Sequence, residues 1–404
     1  MSKIIKDEKL IDELLERGVE QIFPDRESLR KKLLKGERIR LYCGYDPSAT
    51  ALHIGNAITI NKLSQFQALG HEIIFLIGDF TGMIGDPDKL TTRKKLTREE
   101  VLLNAKDYKK QASGYLKFSG ENPAKIMYNS QWNDKLTFKE VIELASNFTV
   151  QQMIQRDMFQ KRLKDGLPIY LHEFLYPLTQ GYDSVAMNVD LEVGGNDQMF
   201  NMLCGRDLQK TINHKEKFVM TLKLLADDQG NKMGKTTGNA VFLNQSPEDM
   251  YGSVMSWPDE IIANAFELCT KVSLAEIVKI KNDLSDETKN PRDLKMKLAW
   301  EMVKLNHNEA KANKAQDHFI RIVQKKEAPK EVISIEIEMG ESIISLLKKT
   351  TFFDSNAEAK RKIKQGGIEL DGKKITDIGI KIEKNMNGKI LKAGKRNFCR
   401  IIVE

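Results

Sequence analysis

Apolar positions recur at helical spacing through 7–35, where Leu10, Ile11, Leu14 and Leu15 share one face, and predict two amphipathic helices. Residues 38–46 (RIRLYCGYD) read as a short strand and 53–70 as a helix stopped at Gly70. The continuous apolar run 71–80 (HEIIFLIGDF) has the pattern of a buried parallel strand. Strand, helix and strand in about 40 residues make a βαβ unit, whose ligands bind at the carboxyl ends of its strands. A helix-rich stretch fills 98–187, with 125–130 (KIMYNS) as a further strand. Two more strands, 187–193 (MNVDLEV) and 217–222 (KFVMTL), flank a helix over 196–211. The pattern is helical from 247 to 325, and 325–340 mixes charge, a proline and a glycine, as linkers do. A small unit follows, with a helix near 355–366 and short strands IELDG and RIIVE.

Composition narrows the class. With 404 residues, 41% hydrophobic and 30% charged, the chain is long enough for two or three domains and too apolar for a disordered one. Its net charge of +7 is unevenly placed. Residues 341–404 hold 15 basic and 8 acidic side chains, and the first 340 hold 49 of each, so the whole excess sits in the last unit. A neutral body with a basic end suggests a soluble domain joined to one that meets a polyanion. The four cysteines (Cys43, Cys204, Cys269, Cys399) form no C-x-x-C pair, which argues against a zinc cluster and fits a reducing cytoplasm. The first 18 residues lack the apolar core of a signal peptide, and no apolar run approaches bilayer-spanning length.

Four clusters carry candidate chemistry. The first joins Tyr42, Gly44, Asp46 and Ser48 to His53-Ile-Gly55-Asn56 at a strand end and helix start, where backbone N–H groups and the helix dipole favour an anion. The second, Lys232-Met-Gly-Lys235-Thr236, offers two point charges to a transferring phosphate. It is no Walker loop, because Gly230 and Gly234 enclose three residues where four are needed. In the third, Tyr176, Gln180 and Asp183 fall on one helix face, suited to reading an ammonium or a hydroxyl. The fourth, 194–198 (GGNDQ), ends a strand and supplies Asp197 for ribose hydroxyls and Gln198 as donor and acceptor. The acidic glycine loop 78–87 puts Asp79 and Asp86 near the same rim. Each cluster alone also fits a helix cap, a solvated loop or a structural hydrogen-bond network.

Their order and spacing are more specific. H-I-G-x near residue 50, the acidic glycine loop, Y-x3-Q-x2-D, GG-x-DQ and K-x-GK-T resemble the class I tyrosyl-tRNA synthetases, from about residue 8 to the C-terminus. The resemblance implies an α/β fold: a Rossmann-like parallel-sheet catalytic domain over 1–240 with a helical insert at about 98–187. An α-helical anticodon-binding domain over 247–325, a linker over 325–340 and a small α+β RNA-binding domain over 341–404, akin to one in ribosomal proteins, would follow. It assigns His53 and Asn56 to the HIGH signature, and Lys232, Lys235 and Thr236 to the KMSKS loop. Tyr42 and Asp183 would grip the tyrosine phenol; Asp86, Tyr176 and Gln180 its ammonium; Gln198 its carboxylate; Asp197 the ribose. ATP would meet Gly44, Asp46, Ser48, His53, Gly55, Asn56, Gly195, Asp197, Lys232 and Lys235, and RNA would meet Lys360, Arg361 and Lys364. Asn56 stands where the family has a second histidine and Gly234 where it has a serine. An asparagine amide nitrogen can occupy about the position of a histidine Nδ1, so neither departure implies lost function.

The implied reaction is tyrosine activation by ATP with Mg²⁺, as a substrate complex with no protein-bound metal, and transfer to tRNA(Tyr) by a cytoplasmic homodimer paired near 115–165. Three rivals remain open at this level. A tryptophanyl-type class I synthetase shares the core but has no hydroxyl for Tyr42 and Asp183 to grip. A small-molecule adenylyltransferase with an RNA-binding tail, or a binding-only RNA protein, would leave the helical domain or the lysine pair without a use.

Overall fold

Five of the first six strands are short runs of β-branched, aromatic and aliphatic residues, and four of these five are buried along nearly their whole length. A strand apolar on both faces needs cover on both, and a parallel sheet wrapped by helices provides it. In the computed structural model of the chain, which describes residues 3–86, 95–226, 240–324, 332–353, 355–394 and 397–404, they form one sheet. Its strands are β1 (Val19–Phe23), β2 (Arg40–Tyr45), β3 (Glu72–Ile77), β4 (Lys125–Tyr128), β5 (Leu191–Gly195) and β6 (Phe218–Leu222). The order is β1-β6-β5-β2-β3-β4; β2 to β6 run parallel and β1 lies antiparallel along β6.

The order reverses between β5 and β2. These strands pair at Leu41↔Leu191 and Tyr42↔Glu192 and no further, so the sheet opens just beyond Tyr42 and Glu192. A crevice at such a reversal, outside the carboxyl ends of the strands, is where open α/β sheets bind ligands.

The chain divides into two compact units, 1–309 and 310–404. The first also contains the helices Pro247–Met255, Ile262–Cys269, Leu274–Leu284 and Pro291–Asn306. Their attachment runs through Arg17. Its guanidinium, fully buried, donates to the carbonyls of Phe266, Glu267, Thr270 and Val272 at 2.6–3.2 Å. The carbonyls at the end of the Ile262–Cys269 helix, which lack intrahelical partners, are thereby satisfied from the N-terminal segment. Lys62 in turn fixes that N-terminal segment to the Ile54–Ala68 helix, donating to the carbonyls of Leu14 and Arg17.

In the second unit the sheet order is β7-β11-β10-β8-β9, with β7 (Ile333–Ile337), β8 (Ile368–Leu370), β9 (Lys373–Ile375), β10 (Ile390–Ala393) and β11 (Asn397–Val403). Helices Ile343–Lys349 and Asn356–Lys364 share its core through Ile343, Leu346, Leu347, Ala359 and Ile363, packed with Ile368, Leu391, Cys399 and Ile401.

Two expectations change. The segment 7–35 holds two helices, Glu8–Glu16 and Arg26–Lys35, with strand β1 between them. VEQIF is partly polar because its edge position leaves one side in water. The segment 325–340 is not simply a linker: Ile333–Ile337 pairs in parallel with β11, and its alternation of Ile with Ser and Glu is that of an edge strand. The strand expected at 125–130 within the helix-rich stretch forms as β4, an edge of the main sheet. The division between compact units falls at 309/310, so the helix Glu309–Phe319 groups almost entirely with the second unit.

Candidate active site

The crevice holds a cleft of about 320 Å³. Tyr42, Gly44, Asp46, His53, Gly55, Asn56, Asp86, Tyr176, Gln180, Asp183, Gly195, Asp197 and Gln198 all line it, so three of the four clusters and Asp86 of the acidic glycine loop become one site. Ser48 does not: it stands exposed, because its N–H turns back to the Asp46 carbonyl at 2.8 Å. Lys232, Lys235 and Thr236 lie outside the described residues. Of the flanking residues that are described, Leu225 lines the cleft and Phe242 pairs with His53.

At one end, His53 caps the helix Ile54–Ala68. Its Nδ1 accepts from Gly55 N–H at 3.1 Å, and Asn56 Oδ1 accepts from His53 N–H at 3.0 Å. Asn56 therefore spends its oxygen on the cap, and its amide nitrogen is the part with donors to give. A Cβ at Gly55 would lie 2.9 Å from the His53 ring, so the glycine sets how tightly the imidazole folds over the helix start.

The opposite end is buried and polar. Tyr42 OH shares a 2.9 Å hydrogen bond with Ser184 Oγ. Asp183 takes three donors: Trp132 Nε1 at 2.7 Å and Asn133 Nδ2 at 3.1 Å on Oδ1, and Asn129 Nδ2 at 3.2 Å on Oδ2. Burial outweighs these donors and pushes the Asp183 carboxyl up to about 8. Burial likewise holds the Tyr42 phenol well above its ordinary range, with the Glu192 and Asp183 carboxylates acting in the same direction.

Between the ends, Asp86 accepts from Gln198 Nε2 at 2.8 Å and from Arg156 Nη2 at 3.3 Å. Tyr176 OH donates to Asp46 Oδ2 at 2.8 Å, whose other oxygen takes the Thr81 hydroxyl at 2.6 Å. Gln180 Nε2 donates to Glu192 Oε1 at 3.2 Å. The cleft thus offers one end for a buried hydroxyl, carboxylates for a cation midway, and a helix N-terminus for an anion.

Comparison with known proteins identifies the family. A family model described as tRNA synthetases class I (W and Y) matches residues 34–324, and one for the Tyrosine--tRNA ligase SYY-like C-terminal domain matches 324–401. The Tyrosine--tRNA ligase of Thermotoga maritima is 43% identical over 390 residues, 96% of this chain and 96% of its own. That of Haemophilus ducreyi is 44% identical over 392 residues, 96% and 97% of the two chains. The chain belongs to the tyrosine–tRNA ligases. It is an aminoacyl-tRNA synthetase, and the tryptophanyl and adenylyltransferase rivals fall away.

Solved tyrosyl-tRNA synthetases share the fold. A C-terminally truncated mitochondrial one from Coccidioides posadasii covers 76% of this chain and 91% of its own, at 26% identity and a TM-score of 0.62. One from Archaeoglobus fulgidus, complexed with L-tyrosine, covers 77% and 100% at 22% identity and 0.59.

Several residues of this ligase site escaped the sequence pattern. Trp132, Asn129 and Asn133 lie about 50 positions before the Asp183 they hold, around a four-residue helix with no periodicity to read. Glu192 and Lys217 did leave a signal: each is a charge in or beside an apolar strand, and each is buried.

Proposed function

We propose that the cleft binds tyrosine with its phenol on Tyr42 and Asp183 and its ammonium among Asp86, Tyr176 and Gln180. Gln198 lies beside the carboxylate, and ATP extends toward the start of the Ile54–Ala68 helix. The observation that carries this reading is the buried end of the cleft, where a carboxylate with three fixed donors and a buried phenol converge. A hydroxyl placed there finds partners, whereas a bare ring leaves buried polar groups unpaired, at a cost of about 1–3 kcal/mol each.

The first step is attack of the tyrosine carboxylate on the α-phosphate of Mg-ATP, releasing pyrophosphate. A carboxylate is already ionised at neutral pH, so no general base is required. What the protein supplies is alignment and charge stabilisation on the departing phosphates. His53 fits that task from its helix-capping position, and Lys232, Lys235 and Thr236 are assigned to it from sequence. Asp197 and the Asn56 amide take the ribose; Gly44, Asp46, Gly55 and Gly195 line the nucleotide path, and Ser48, outside the cleft, is withdrawn from it. Magnesium arrives with the nucleotide; among the described residues, no group of three or more His, Cys, Asp or Glu side chains is arranged to hold a metal ion. The second step passes tyrosine to the terminal ribose of tRNA(Tyr), with Lys360, Arg361 and Lys364 of the second unit on its phosphates. All three are exposed on the helix whose Ala359 and Ile363 face the core.

A second copy of the chain is proposed to cover the exposed apolar side chains Phe138, Ile142 and Val150, which are 81%, 54% and 68% accessible. The buried, unpaired cysteines fit work in a reducing cytoplasm. Among the described residues no helix is long and apolar enough to cross a membrane.

The test is selectivity. At pH 9, where its carboxyl is ionised, Asp183→Asn should lower the preference for tyrosine over phenylalanine in ATP–pyrophosphate exchange by about 10- to 100-fold, the worth of a hydrogen bond to a charged group. Tyr42→Phe should do the same to a smaller extent, since a neutral partner makes the weaker bond. Equal losses for both amino acids, with a lowered melting temperature, would make these residues structural.

A further inference from the structure

In the wall of the cleft, which Glu192 lines, is a buried ion pair that the reaction as described does not use. Lys217, wholly buried at the entry to β6, pairs with Glu192 on β5. All three of its N–H groups are spent, on Glu192 Oε2, on Ser184 Oγ at 2.7 Å and on the Met202 carbonyl at 3.1 Å. The space for its ammonium is cut to size: a Cβ on Gly205 would lie 2.7 Å from Lys217 Nζ and 2.8 Å from Ser184 Oγ. A buried ion pair adds little stability over apolar residues of the same volume, so stability alone does not account for it.

The other carboxylate oxygen of Glu192 faces Gln180, accepting from Nε2 at 3.2 Å. An ionised carboxylate only accepts and an ammonium only donates. Lys217 therefore keeps Glu192 as an acceptor, and Glu192 in turn draws the amide nitrogen of Gln180 toward itself. The Gln180 oxygen is left for the cleft, which it lines. We propose that Glu192, fixed by Lys217, is a positioning residue that sets the orientation of the Gln180 amide so that its oxygen meets the substrate ammonium. This rests on the tyrosine reading of the cleft.

A glutamine at 192 makes the logic testable. Lys217 can only donate, so the new amide must turn its oxygen to Lys217 and its NH2 to Gln180. Gln180 then turns its own oxygen inward and presents N–H groups to the ammonium. Replacing Lys217 by methionine as well removes that constraint, and the amide at 192 is free to accept from Gln180 again.

The experiment is calorimetric titration of the full chain with L-tyrosine and with 3-(4-hydroxyphenyl)propanoate, which lacks the ammonium. Glu192→Gln should weaken L-tyrosine about 10- to 100-fold and the analogue less than about threefold. The double variant Glu192→Gln/Lys217→Met should recover most of the preference, whereas Glu192→Met/Lys217→Met, equally free of buried charge but without an acceptor, should not. That second comparison holds even if Glu192→Gln alone does not fold. Equal weakening of both ligands, no change in Glu192→Gln, or equal behaviour of the two double variants overturns the proposal. A wild-type chain that binds L-tyrosine no better than the analogue overturns the tyrosine reading itself.

Discussion

Asp183 shows how a single side chain carries both recognition and a pH dependence. Its carboxyl is pushed up to about 8 by burial, against a model-peptide value of 3.8. Between those values the folded chain holds a proton that the unfolded chain releases. Unfolding free energy from this group therefore falls as pH rises across that window and levels off above about 8. Recognition moves the other way, because the ionised carboxylate is the stronger acceptor for a substrate hydroxyl. The ratio of tyrosine to phenylalanine exchange should rise as pH is raised from 7 to 9, and Asp183→Asn should flatten it. A wild-type ratio independent of pH would contradict this coupling of the Asp183 titration to recognition. The residues legible from sequence here were those whose spacing follows a helix, as with Tyr176, Gln180 and Asp183. Trp132 and Asn129 reach Asp183 only because the sheet places β4 near the Leu171–Met187 helix, and no local period encodes that.

At the scale of elements, the βαβ start, the strands β2, β3, β4 and β6 and the helix Leu171–Met187 follow from hydrophobic runs and turn residues. Two of the misread elements are edges. β1 and β7 each have one neighbour, so half of their positions need not be apolar, and their patterns dissolve into the surrounding charge. β5 begins at Leu191 and not at 187, because the preceding helix continues to Met187 and ends in a left-handed Asn188. The joint between the first helix and the Ile262–Cys269 helix was invisible as well, although Arg17 itself makes it. Arg17→Ala leaves the Glu267, Thr270 and Val272 carbonyls without this donor, while Phe266 keeps the Thr270 hydroxyl, and should cost about 3 kcal/mol or more of stability, read as a lowered thermal midpoint. Arg17→Lys should recover little, since one ammonium cannot span the fork. An unchanged midpoint in Arg17→Ala would mean that the helical segment is held by its apolar contacts alone.

At the scale of the molecule, the charge distribution and the division into two units say the same thing by independent routes. The first unit, 1–309, contains the cleft and sums to −1, while the second, 310–404, holds 21 basic and 13 acidic side chains and sums to +8. Because β7 pairs with β11, a cut at 341 would strip a strand from that unit, and removal of 310–404 respects its boundary. That deletion should leave tyrosine-dependent ATP–pyrophosphate exchange near its full rate. It should also weaken tRNA charging and reduce the salt dependence of tRNA binding, since phosphate contacts set that slope. Loss of exchange on deletion would place part of the catalytic machinery in the second unit. The central claim, that this cleft activates tyrosine, is tested most directly by exchange on the intact chain without tRNA, one amino acid at a time. The account predicts exchange that needs tyrosine, ATP and Mg²⁺ together. Exchange driven equally by phenylalanine or tryptophan, or none without tRNA, would contradict it.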